Sequence, residues 1–112
     1  MEINTRKQNN ILVVSAKGRI DAVTAPEFEN SLSDLITKGE TTFLINFNNL
    51  DYISSAGLRS ILATAKKLKE KKGEITFSGL QGSVKEVFNI AGFYSIFKIF
   101  DTDKDALIKI LS

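Results

Sequence analysis

The sequence predicts a single α/β domain built on a mixed, mostly parallel sheet. Three observations carry that prediction. Apolar runs of strand length alternate with segments whose apolar residues recur at helical spacing. Glycine or asparagine punctuates most of the junctions between them. The 112 residues hold one proline and no linker, repeat or low-complexity tract, as one domain spanning 1–112 would. Strands alternating with helices imply right-handed crossovers between parallel neighbours. The expected order is β-β-α-β-α-β-α-β-α, an N-terminal hairpin followed by strands and four helices.

Residues 2–7 alternate weakly and read as a polar edge strand. Asn9-Asn10 reads as a turn, and residues 11–16, β-branched and apolar, as a second strand that Lys17-Gly18 ends. Thr24-Ala25-Pro26-Glu27 reads as a helix start, with Thr24 as cap, proline in the first turn and Glu27 completing a capping box. Phe28, Leu32, Leu35 and Ile36 then form one stripe. Lys38-Gly39 closes the helix, a cation near its negative end and a glycine for a left-handed cap.

Residues 42–47 leave no polar face, as expected of a central strand covered on both sides. A turn carrying Ser54 and Ser55 leads into a helix over about 56–72, with Leu58, Ile61, Leu62, Ala65 and Leu68 at helical period, and Gly73 ends it. Residues 74–78 form a strand closed by Gly79. Ser83-Val84-Lys85-Glu86 reads as a second capping box, Val84, Val87, Phe88 and Ala91 as a short helix face, and Gly92 as its stop. Residues 96–100 form the last strand and 103–111 a terminal helix with Ala106, Leu107, Ile110 and Leu111 apolar.

Composition narrows the chemistry. Hydrophobic residues at 43% and charged ones at 25% are ordinary globular usage, enough for one core without staples. The absence of cysteine excludes disulfides and thiolate metal sites and suits a reducing compartment. The absence of histidine removes the commonest general base and metal ligand, so a Ser-His-Asp triad is impossible. A net charge of +2 does not imply a nucleic-acid partner. Lys66, Lys67, Lys69, Lys71 and Lys72, opposed only by Glu70, read as the solvated back of an amphipathic helix. No run suggests a membrane span and residues 1–10 are too polar for a signal peptide, so the expected setting is the cytoplasm.

No phosphate loop or dinucleotide fingerprint is present. Residues 79–83 read as a plain loop and cap. Asp101, Asp103 and Asp105 match three calcium-loop positions, but Ala106 stands where glycine is required and Ser112 where glutamate is. These acids are assigned to the positive end of the last helix. No cofactor, metal or catalytic constellation is expected.

Ser54 and Ser55 remain. One of them is an N-cap, worth about 1 kcal/mol to the helix. Either is also a candidate for phosphorylation, because a helix N-terminus tolerates a phosphate while an apolar or acidic partner docked there would not. The candidate surface is the turn and the first two turns of its helix: Ser55, Leu58, Arg59 and Leu62. By periodicity Leu58 and Leu62 also fit the core. Arginine suits an interface as well as open solvent.

Three segments resemble the STAS family, specifically the small bacterial anti-sigma factor antagonists. Residues 18–25, Gly-Arg-Ile-Asp-Ala-Val-Thr-Ala, are similar to the family's approach to its first helix. Residues 46–58, ending Ile53-Ser54-Ser55-Ala56-Gly57-Leu58, are similar to its strand, turn and phosphosite. Residues 79–93, with Val84, Val87 and Phe88 and the Ala91-Gly92-Phe93 end, resemble a later segment. The resemblance implies a STAS-type domain that is not an enzyme. Unphosphorylated, it would bind an anti-sigma factor that is a GHKL-type serine kinase; the kinase would phosphorylate it and release it; a PP2C-type phosphatase would reset it.

The family's modified serine maps onto Ser55. Its preceding aspartate maps onto Ser54, a departure that leaves Ser54 as a rival acceptor. Asp21 matches an acidic residue near the phosphosite, and turn chemistry is its other reading. The resulting partner-binding set is Asp21, Thr24, Ser54, Ser55, Gly57, Leu58, Arg59 and Leu62, on an expected monomer. The alternative is a non-phosphorylated STAS subunit of a larger transport or signalling assembly.

Overall fold

The computed structural model describes residues 1–112. Strands β1 (Glu2–Gln8) and β2 (Ile11–Ile20) form the expected antiparallel hairpin, with Asn9 and Asn10 at φ +49° and +66° in its tight turn. Helix α1 (Ala25–Thr37), β3 (Thr42–Asn46), β4 (Leu50–Ile53), α2 (Ser55–Glu70), β5 (Glu74–Ser78), α3 (Gly82–Ile90), a 3-10 turn (Phe93–Ser95), β6 (Lys98–Phe100) and α4 (Asp103–Leu111) follow. The sheet order is β1-β2-β3-β5-β6, parallel from β2 onward, and β4 pairs in parallel with the far end of β2.

Two features differ from the expected order, and they are linked. Lys17-Gly18 does not end β2; the strand bends there, with Gly18 at φ +107° and a shift of register, and continues to Ile20. That extension is what β4, a strand absent from the sequence reading, pairs with. The last strand is also shorter than expected, because the 3-10 turn occupies the stretch before it.

The central strand β3 is covered on both sides. Phe43 and Ile45 enter the larger core with Phe28 and Leu32 of α1, Ile61 and Leu68 of α2, and Val84 and Phe88 of α3. Leu44 faces the other way and packs with Ile11, Val13, Ala106 and Leu107. Three helices therefore cover one face and α4 covers the other. Phe47, just past β3, is fully buried and its ring centroid lies 6.0 Å from Phe28, 5.8 Å from Phe77 and 6.1 Å from Phe88. These tilted and edge contacts tie three elements together at the end of the sheet nearest the serine turn.

Helix ends show which local signals operate. Gly39 at φ +108° closes α1 as expected, with Glu40 N–H donating to Leu35 O and Gly39 N–H to Ile36 O. The capping box at Thr24 does not form: the Thr24 hydroxyl is engaged upstream. The box at Ser83 does not form either. The helix starts two residues earlier, at Gly82 with Gln81 as its cap position, and the Ser83 hydroxyl donates to Asp51 O at 3.1 Å, fastening α3 to β4. Thr102 caps α4 by accepting from Asp105 N–H, and Asp103 binds Asn46 Nδ2 at 2.9 Å and the Ser78 hydroxyl.

Truncating Phe47 to alanine should cost about 3–5 kcal/mol, because the ring is fully buried among partners that cannot close the gap. Ile96→Ala, at a side chain 60% exposed, should change stability by less than about 0.5 kcal/mol. Urea denaturation midpoints of the two variants check both expectations.

Candidate functional site

The site is built where β2 and β4 end side by side. Ser54 N–H donates to Ile20 O at 2.8 Å, so the start of α2 is tied to the end of β2. Ser54 is the N-cap: its backbone is extended and its hydroxyl oxygen accepts from Gly57 N–H at 3.3 Å. That resolves which serine caps. Ser55 is the first residue of α2, exposed, and its hydroxyl takes no part in the hydrogen bonds of the turn.

Gly57 sets the depth of the helix. A Cβ there would lie 2.6 Å from Ile53 Cγ1 and 2.8 Å from Ile20 Cγ2. The first turn of α2 thus rests directly on the last residues of both strands. Gly57 is buried and offers a partner no surface; its role in the proposed set is steric.

The approach to α1 forms the second wall. Asp21 Oδ1 accepts from Val23 N–H and Thr24 N–H at 3.0 Å each, and the Thr24 hydroxyl oxygen accepts from Asp21 N–H at 2.9 Å. This is a reciprocal cap with aspartate first, one turn ahead of the expected one. The Thr24 hydroxyl also donates to Arg19 O. Thr24 N–H above all, then Val23 N–H, the Thr24 hydroxyl and Arg19, holds the Asp21 carboxyl below its ordinary value, against a smaller penalty from partial burial. Turn chemistry thus occupies one carboxylate oxygen, and the other lies 3.9 Å from Arg19 Nε. Arg19 itself stacks over the Tyr52 ring at 4.3 Å, its cross-strand neighbour.

Helix α2 buries Gly57, Ser60, Ile61, Thr64 and Leu68, a face rotated from the expected stripe. The reason is its packing against α1. Ser60 donates to Ala25 O at 3.3 Å and Thr64 to Ser60 O at 2.9 Å, so small hydroxyl side chains occupy the helix–helix contact. Leu62 is consequently exposed (43%) and Leu58 half-buried against the core. Arg59 is exposed and forms no salt bridge.

Between the two helix starts lies a shallow groove of about 280 Å³, lined by Ala22, Pro26, Glu29, Asn30, Ala56 and Arg59 among others. Val23, on the loop at its edge, is 85% exposed and was not singled out from the sequence. It lies on no periodic face, and its only signal was an apolar residue in a strand-to-helix loop. Of the sequence candidates, Ser55, Arg59 and Leu62 are thus presented outward. Asp21, Thr24, Ser54 and Leu58 are half-buried behind them, and Gly57 lies beneath. A larger depression, about 600 Å³, lies along α3 beside Tyr94 and is lined by none of the sequence candidates. No three acidic side chains converge to hold a metal, and no helix is long and apolar enough to cross a membrane.

The model of the STAS domain matches residues 2–106. The chain is 36% identical over 106 residues to BtrV of Bordetella bronchiseptica, a protein assigned as an anti-sigma factor antagonist, covering 95% of this chain and 91% of that one. The crystal structure of an anti-sigma factor antagonist from Mycobacterium paratuberculosis superposes with a TM-score of 0.90 at 23% identity, over 99% of this chain and 94% of that one. The Bacillus cell fate determinant SpoIIAA in its phosphorylated form superposes with a TM-score of 0.75 at 19% identity, over 97% and 99%. At such identities the two structures speak for the fold.

Two expectations follow from the turn. In Gly57→Ala the helix-propensity gain of about 1 kcal/mol is outweighed by overpacking of about 1–3 kcal/mol, for a net loss of stability readable in a urea titration. Asp21 has a lowered folded-state value, so its stabilisation is complete above the ordinary 3.8 and is lost as pH falls through the folded value. The gap between the melting midpoints of wild type and Asp21→Asn should therefore be widest near neutrality and close in acid.

Proposed function

The chain belongs to the STAS domain family, and we propose that it acts in the cytoplasm as a phospho-switched antagonist of an anti-sigma factor. Unmodified, it sequesters an anti-sigma factor that is also a GHKL-type serine kinase. Phosphorylation of Ser55 ends the complex, and a PP2C-type phosphatase restores it. The observation that carries this reading is the division of labour between adjacent serines. Ser54 is committed to the cap, while Ser55 stands exposed with its hydroxyl uncommitted. Its phosphorylation would add charge without breaking a bond that holds the fold.

In the transfer step the Ser55 hydroxyl oxygen attacks the γ-phosphorus of ATP. The new O–P bond forms as the bond to the β–γ bridging oxygen breaks, ADP leaves, and the hydroxyl proton passes to a base on the kinase. This chain contributes only the acceptor. Resetting is hydrolysis of that phosphoester. The docking surface we assign is Ser55, Arg59, Leu62 and the flanking Val23, an apolar and cationic rim; a dianion placed on it would oppose an apolar or acidic partner docked there. Asp21, Thr24, Ser54, Gly57 and Leu58 support that rim from behind.

A second reading has one observation in its favour. A neutral Ser54 stands where the family carries aspartate, which suits a STAS subunit of a larger assembly that is never phosphorylated. Capture from the native host separates the two, recovering a GHKL kinase in one case and assembly subunits in the other.

Incubated with the captured kinase and ATP, the wild-type chain should gain one phosphate by intact mass, Ser54→Ala should still gain it, and Ser55→Ala should not. Ser55→Asp should bind the unloaded kinase at least about tenfold more weakly while keeping its melting midpoint. Labelling of Ser55→Ala at the wild-type rate would remove Ser55 as the acceptor.

A further inference from the structure

Arg59 lies four residues after Ser55 on α2, so the two side chains share one face of the helix about one turn apart. Helical side chains lean toward the N-terminus, which brings the arginine stem back over the first turn. An acidic group preceding a basic one at this spacing is the favourable orientation. The guanidinium has no carboxylate within salt-bridge distance, although Glu29 of α1 lines the same groove. The other nearby cation, Arg19, is occupied by Tyr52 and Asp21. Arg59 is therefore the one guanidinium beside the acceptor free to change partners.

We propose that Arg59 is an intramolecular receiver for the phosphate on Ser55: once modified, the chain folds Arg59 back onto its own phosphoserine. The proposal rests on the reading of Ser55 as the acceptor and adds a second action to it. In the unmodified chain Arg59 projects into solvent, available to a docked protein. In the phosphorylated chain its planar fork is held by phosphate oxygens in charge-assisted hydrogen bonds. Phosphorylation then both places a charge on the surface and withdraws a cationic contact from it. The pairing also lowers the cost of the modified state to the host. The neutral cap Ser54 adds no negative charge to compete for the arginine.

The first readout needs no kinase; the second measures binding of the captured anti-sigma kinase to the same phosphorylated chains. Phosphoserine is installed at position 55 during translation, in the wild-type background and in Arg59→Gln and Arg59→Lys, and far-UV circular dichroism verifies the fold. The second ionisation of the phosphate, ordinarily near 6, is followed by 31P NMR. Glu29 on α1 and Asp21 on the preceding turn raise it in every background, and Arg19 lowers it in every background, so the difference between backgrounds isolates residue 59.

We expect the ionisation in the wild-type background to lie about 0.3 unit or more below that of Arg59→Gln, with Arg59→Lys between them. The difference should shrink in high salt, as for an exposed pair. Equal values for wild type and Arg59→Gln overturn the proposal. A clear difference in ionisation beside unaltered binding of the anti-sigma kinase would support the clasp and overturn the switch, so the two failures are distinct.

Discussion

The contact on which the site depends is the seat of α2 on two strand ends. Only a residue without a side chain lets the helix backbone come down onto Ile20 and Ile53, which a Cβ at Gly57 would meet at under 3 Å. That depth places Ser54 within hydrogen-bond reach of Ile20 O and orients its hydroxyl toward Gly57 N–H. With the cap fixed, the next residue has no choice but to start the helix on its outer side. The exposure of Ser55 is therefore a consequence of a buried steric fit, not an independent feature of the surface.

The rest of the fold keeps that seat rigid. Phe47 sits behind the turn among Phe28, Phe77 and Phe88, so α1, β5 and α3 are all fastened to the segment that leads into β4. The Ser83 hydroxyl on Asp51 O anchors the far side of β4. None of these contacts involves the Ser55 side chain. A charge added there meets solvent, the unpaired N–H groups of a helix start and a free guanidinium, and leaves the core untouched. A docked protein has no such freedom, since it must desolvate the same charge.

The hairpin, α1, β5 and α4 were legible because their signals are local: Asn9-Asn10, Gly39, a five-residue stretch before Gly79 with Ile75 and Phe77 at alternate positions, and an amphipathic end with its acids in the first turn. Strand β4 was not. Four residues including an exposed aspartate carry too little pattern, and the strand exists because β2 bends at Gly18 and extends to meet it, a pairing between residues more than thirty apart. Capping boxes misled for a related reason. Thr24 and Ser83 have hydroxyls suited to capping, but Arg19 O on β2 claims the first and Asp51 O on β4 the second. At the site, the serine pair was readable from its place before a helical run. Leu58 and Leu62 were readable as surface candidates that also fitted the core, because periodicity cannot tell which of two adjacent faces a neighbouring helix will cover; Ser60 and Thr64 took the buried one, leaving Leu62 exposed and Leu58 half-buried.

The departure at Ser54 can be placed in the same physical frame. At an N-cap, serine and aspartate do the same backbone work, accepting from an N–H in the first turn. They differ in charge. An aspartate there would be partly neutralised by the helix N-terminus, using up the field that a phosphate on the following residue would otherwise feel. A serine leaves that field, and Arg59, to whatever is attached at Ser55. Replacing the cap's carboxylate by a hydroxyl thus keeps the geometry of the turn and shifts the electrostatic contrast between its two states. The mouth of α2 is thereby more positive than with an aspartate cap, and the charge that the proposed phosphorylation would add would meet groups with no prior claim on them.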